Sequence, residues 1–107
     1  GFAFARAGGA DLAAVRTALA GGLSDSTILR QHGERMVHAD YAPGSPAAQQ
    51  RENLRNAAAQ ARAMGVDLAL LSLAERTFDA MVTSGRGSED IAAVFEHVVA
   101  RGARGTA

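Results

Sequence analysis

Apolar residues along this chain fall three and four positions apart, the spacing of one helix face, and no segment alternates convincingly with period two. Phe2 and Phe4, in a background of small residues, read as the last turns of a helix that began earlier and is stopped by Gly8-Gly9. Asp11 caps the next helix, which carries Leu12, Val15 and Leu19 on one stripe and closes at Gly21-Gly22. Ser24, Asp25 or Ser26 opens a third, with Ile28, Leu29, His32 and Met36 on its buried face. Two prolines and a glycine make residues 41–46 the clearest loop. A long helix from Ala47 to Met64 follows, with Leu54, Ala57, Ala58, Ala61 and Met64 on a narrow stripe and Gly65 as its stop. Leu71, Ala74, Phe78 and Met81 mark a further helix, ended by Ser84-Gly85. Ser88 is expected to cap the last one, with Glu89 and Asp90 in its first turn and Ile91, Val94, Phe95 and Val98 on its stripe. Residues 101–107 read as a frayed tail. The pattern predicts an all-α fold: one domain over 1–107, a compact bundle of about six helices.

Composition adds a constraint on stability. Hydrophobic residues make up 48% of the chain, but alanine dominates, Trp is absent, and there are one Tyr and four Phe. Alanine favours helix and buries little area, so this core is thin for its length. A second surface is therefore expected to help, from a neighbouring domain or from a homo-oligomer. The candidate faces are Phe2 with Phe4, and Ile28, His32 and Met36.

Charge narrows the function classes. Eleven basic and eleven acidic residues give zero net charge, against the clustered basic footprint that nucleic acid requires. Every basic residue is Arg, which removes any lysine amine as a catalyst, and the absence of Cys removes thiolate chemistry. No apolar run reaches the ~18 residues of a membrane span, and residues 1–6 lack a signal peptide's architecture. The expectation is a cytoplasmic protein with no nucleic-acid or membrane partner.

The order of motifs carries more. Ala3-Phe4-Ala5-Arg6-Ala7-Gly8-Gly9-Ala10-Asp11, the run from Gly21 to Met36, Tyr41-Ala42-Pro43-Gly44, Leu54 and Ala63-Met64-Gly65-Val66 follow one another in a single register. Together they resemble the C-terminal helical domain of the β-hydroxyacid dehydrogenases of the 3-hydroxyisobutyrate dehydrogenase and 2-hydroxy-3-oxopropionate (tartronate semialdehyde) reductase type, which is itself similar to the C-terminal domain of 6-phosphogluconate dehydrogenase. The resemblance implies that the first helix is the end of a long interdomain helix. It also implies an N-terminal dinucleotide-binding (Rossmann) domain as partner, NAD or NADP bound mainly by that domain, and hydride transfer to or from a short 3-hydroxy acid or its semialdehyde. The family's catalytic lysine and phosphate loop lie upstream of the residues matched here. No catalytic residue carries over, and the chain alone is expected to be inactive and to bind no cofactor.

Departures from the family pattern fall at the positions facing cofactor. Its Pro-Gly-aromatic turn becomes Pro43-Gly44-Ser45, and its Lys-Asp-Leu motif falls on Glu52-Asn53-Leu54. By resemblance, Ser45, Glu52 and Asn53 are the candidate cofactor-binding residues, with an anion in place of a cation at Glu52. Glu52 and Asn56 lie opposite the Leu54/Ala58/Ala61 stripe, and Arg51 is rotated about 100° from Glu52. The alternative is a helical association module of a dehydrogenase homologue that has lost its chemistry.

Other constellations have plainer readings. His32 on an apolar face is a core or interface histidine. Glu34, His38 and Asp40 lack the convergent ligands that a metal needs, so no metal site is expected. Gly85-Arg86-Gly87-Ser88 is a helix connection, since no strand precedes it and Glu89-Asp90 would repel an anion. Arg51, Arg55 and Arg62 share a flank read as solvated. Gly33 inside a helix costs about 1 kcal/mol against alanine, with close approach of another helix backbone, or a kink, as its reason.

Overall fold

The computed structural model describes residues 1–103, and of Ala103 the backbone alone. Among the described residues there are six α-helices: α1 (Phe2–Ala7), α2 (Leu12–Leu19), α3 (Thr27–His38), α4 (Ala47–Ala63), α5 (Ala69–Met81) and α6 (Val94–Ala103). A π-helical turn (Val82–Arg86) follows α5, and a 3₁₀ turn (Ile91–Ala93) leads into α6. Among the described residues there is no strand, only an isolated bridge between Pro46 and Asp90. The fold is all-α. α6 takes in Arg101–Ala103, which the sequence had read as frayed; residues 104–107 of that tail lie outside the described residues.

Contacts divide the chain into one unit of residues 1–41 and 95 onward, and a second of residues 42–94. In the first, Phe2 is buried, against the expectation that it would be an exposed association residue, while Phe4 is 86% exposed. The Phe2 ring meets Phe95 edge to face at 6.4 Å, an arrangement worth about 0.5–1.5 kcal/mol beyond area burial. Its tip also explains Gly33: a Cβ there would sit 3.4 Å from Phe2 Cζ and 3.6 Å from Arg16 Cδ. Side chains, not a helix backbone, approach that glycine. Arg6 stacks over Phe95 at 4.4 Å and reaches Glu96 at 3.8 Å, and the Tyr41 hydroxyl donates to Glu96 at 2.9 Å.

Caps follow local chemistry. Asp11 accepts from the Ala14 N–H, and Ser26, the last of its three candidates, accepts from the Leu29 N–H. Asp25 closes the turn before α3 by accepting from the N–H groups of Gly21 and Ser26, each at 2.8 Å. The Gly21 bond foremost, with help from Arg30, holds its carboxyl below the usual value. On α3, Leu29, His32 and Met36 are half-buried, but Ile28 is exposed and leaves the expected face.

In the second unit α4 packs on α5. Ala47, Ala58 and Ala61 of α4 are buried, as are Met81 of α5 and Ala92 and Ala93 of the 3₁₀ turn. Ala57 and Met64 are exposed, contrary to the narrow-stripe expectation. Helical geometry puts them about 70–90° from the centre of the buried face, beyond its edge. The expected stripe of the last helix also fails at one end, since Val98 is exposed while His97 is buried.

Candidate functional site

The site begins at the loop before α4. Pro46 occupies the N-cap position and offers no side-chain acceptor. The orphan N–H groups of the first turn are satisfied by backbone instead: Ala47 donates to the Glu89 carbonyl at 2.8 Å and Ala48 to the Gly87 carbonyl at 2.9 Å. Gly87 permits that approach, because a Cβ there would lie 3.1 Å from Val82 Cγ1 and 3.6 Å from Ala48 Cβ. Carbonyls thus occupy donors that a helix N-terminus would otherwise turn to an anion.

Asp90 ties the loop down from the other side. The residue is 3% exposed. Oδ1 accepts from the N–H groups of Gly44 (3.0 Å) and Ser45 (3.1 Å), and Oδ2 accepts from Ala92 at 2.9 Å, making Asp90 the cap of the 3₁₀ turn. Ile91 N–H returns a bond to the Ser45 carbonyl at 3.0 Å. The expected cap, Ser88, is exposed and plays no such part. An aspartate just before an apolar run is itself a cap signal, and burial is what sets Asp90 apart from Ser88.

The candidate residues take different places. Ser45 is half-buried, with both backbone polar groups engaged. Glu52 and Asn53 are exposed on α4, about 8–9 Å along its axis from Ala47. The Asn53 carbonyl oxygen accepts from Gln49 Nε2 at 3.3 Å. Glu52 is not a bare anion. Its Oε1 lies 3.1 Å from Arg55 Nη1 and 3.6 Å from Arg51 Nε, and both arginines also reach Asp79 of α5, at 2.8 and 3.6 Å. Two cations and two anions make a neutral cluster where a solvated arginine flank was expected. Only Arg62 of that flank remains outside it.

These donors and acceptors decide what the surface suits. The guanidinium groups nearest the site are committed to carboxylates, and Glu52 only accepts. Glu52 and Asn53 fit an amide or hydroxyl, and they do not fit a phosphate or a carboxylate. A dinucleotide's pyrophosphate therefore has no cradle among Ser45, Glu52 and Asn53. Elsewhere the Glu34 carboxylate pairs with His38 and Arg16, each at 2.9 Å. No three His, Asp or Glu side chains gather among the described residues, and no helix among them is long and apolar enough to cross a membrane.

Comparison with known proteins places this architecture. A family model described as NAD-binding of NADP-dependent 3-hydroxyisobutyrate dehydrogenase matches residues 1–98. The chain is 33% identical over 93 residues to the 2-hydroxy-3-oxopropionate reductase of Escherichia coli (strain K12), covering 87% of this chain and 32% of that protein. It superposes on a crystal structure of 3-hydroxyisobutyrate dehydrogenase from Salmonella typhimurium with a TM-score of 0.86 at 26% identity, covering 89% of this chain and 33% of the other. The chain thus spans about a third of the length of these relatives. The chain belongs to the NAD-binding family of NADP-dependent 3-hydroxyisobutyrate dehydrogenase, within the β-hydroxyacid dehydrogenases.

Proposed function

We propose that residues 1–107 act as the single C-terminal helical domain of an NAD(P)-dependent oxidoreductase acting on a short 3-hydroxy acid or its semialdehyde. The supporting observation is the family match over residues 1–98, together with 33% identity to a 2-hydroxy-3-oxopropionate reductase. In this reading a dinucleotide-binding domain of the same protein is the partner and holds the cofactor's phosphates. The cofactor supplies hydride transfer. This chain supplies cover: the loop around Ser45 and the Glu52/Asn53 face of α4 close over the nicotinamide and substrate and exclude water. Asn53 orients amide or hydroxyl groups, while Arg51 and Arg55 engage the Glu52 carboxylate. The protein works as a homo-oligomer in the cytoplasm, and the chain by itself neither binds cofactor nor turns over substrate.

One observation favours a second reading. Glu52 stands where the family motif has lysine, and its charge is spent on Arg51 and Arg55. A homologue that kept the helical domain for association and lost the chemistry has that character. Steady-state assays of the whole protein with NADH and NADPH, against a panel of short semialdehydes, separate the two.

A further inference from the structure

Where α5 meets α4, one carboxylate oxygen sits as a bound ligand would. Arg55 of α4 divides its fork between two acids: Nη1 donates to Glu52 Oε1 on its own helix at 3.1 Å, and Nη2 to Asp79 Oδ1 on α5 at 2.8 Å. Arg51, one turn earlier, brings Nη1 to 3.6 Å from the same Asp79 oxygen and Nε to 3.6 Å from Glu52. Both contacts are longer than a hydrogen bond, and the buried Arg51 Nε has no hydrogen-bond acceptor. Asp79 Oδ1 thus stands between two guanidinium groups, the place an oxyanion of a ligand would take.

A guanidinium accepts an external carboxylate or sulfate as readily as one from the protein. Here the place is filled from within. With Asp79 the cluster is neutral; without it, Arg51 and Arg55 face Glu52 alone and one positive charge is left over beside Asn53. The side chains of Arg55 and Asp79 are 43% and 47% exposed, so dissolved ions reach them. A pair this exposed contributes little to folding. Its larger effect is on what the surface accepts.

We propose that Asp79 is the built-in occupant of an anion site on α4, and that by filling it Asp79 makes the Glu52/Asn53 face select uncharged polar groups over carboxylates. The consequence for substrate rests on the function proposed above. There, this face meets the hydroxyl or carbonyl end of the substrate, and the substrate's carboxylate is turned toward the dinucleotide-binding domain. Asp79 is then a positioning residue that acts through Arg51 and Arg55.

The test is isothermal titration calorimetry of the whole protein at low ionic strength, with sodium sulfate as the first probe. Asp79→Ala should gain a sulfate site that the wild type lacks. Asp79→Glu, which keeps the carboxylate, should not gain it, and Asp79→Ala/Arg55→Gln should lose it again. A merely structural role for Asp79 would not follow charge in this way. The second probe is 3-hydroxyisobutyrate against its uncharged methyl ester, each in the presence of NADP. Asp79→Ala should tighten binding of the acid by about three- to tenfold, as one unit charge does at a partly exposed site, and shift the ester by less than about twofold. No added sulfate site in Asp79→Ala, or one that survives Arg55→Gln or also appears in Asp79→Glu, would overturn the inference. An added sulfate site with an unchanged preference between acid and ester would uphold the anion site and contradict the placement of substrate on this face.

Discussion

The Ser45 N–H donates to Oδ1 of Asp90 across 45 residues of chain, and Asp90 is the one acidic residue buried from solvent among the described residues. That bond, with its companions from Gly44 and Ala92, fixes the loop before α4 and hence the face that carries Glu52 and Asn53. Removing the carboxylate leaves these donors without their acceptor in a dry setting. Asp90→Ala is expected to cost about 3 kcal/mol or more. Asp90→Asn should cost less, since one oxygen still accepts while its amide faces the Ala92 N–H. Urea denaturation of the whole protein measures both, and an Asp90→Ala variant as stable as wild type would show that the loop is held otherwise.

Gly33 offers a test in the opposite direction. The Phe2 ring leaves room for one methyl at contact distance and no more. Gly33→Ala should therefore gain up to about 1 kcal/mol from helix propensity, while Gly33→Leu should lose stability by displacing Phe2. Thermal unfolding of the two variants decides. A destabilised alanine variant would mean that the ring has no freedom to yield.

Arg55 and Asp79 join α4 to α5 through an ion pair that is nearly half exposed on both sides. Solvent screening limits such a pair to about 0.2–1 kcal/mol. A double-mutant cycle with Arg55→Ala and Asp79→Ala should give a coupling in that range that shrinks as salt rises. Coupling of several kcal/mol would show the cluster to be far drier than its exposure indicates.

Asp25 gives a pH dependence with a definite sign. Its carboxyl is held below 3.8 in the folded state, mainly by the Gly21 N–H. The stability it contributes is fully present above that unfolded value and is lost as pH falls through the lower folded value. Asp25→Asn should be less stable than wild type at neutral pH, with the difference closing in strong acid. A difference independent of pH would assign the effect to geometry and not to charge.

Much of the fold was legible in the sequence because helix stripes and caps are local. Asp11 capped as expected, α4 ended at Gly65, and Leu71, Ala74, Phe78 and Met81 faced inward. Failures came where distant residues decide. Ile28, Met64 and Val98 obey the helical period but lie beyond the edge of the buried face, which depends on what packs opposite. The cap falls at Asp90, two residues beyond the expected Ser88, because the partners that bury Asp90, Gly44 and Ser45, are remote in sequence. The same limit applied to Glu52. Its identity against the family motif was visible, but its neutralisation by Arg51 and Arg55, and their sharing of Asp79, needed α5 in place.

The most direct measurement is turnover by the whole protein. With NADH or NADPH and a panel of short semialdehydes, the wild type is expected to show saturable cofactor oxidation. Glu52→Lys is expected to tighten cofactor binding or raise turnover, since it replaces an anion at the surface proposed to face the cofactor, even though placing a third cation beside Arg51 and Arg55 trims stability slightly. Turnover by neither form, from folded protein and across the whole panel, would contradict the dehydrogenase account and leave the association module as the function of this chain.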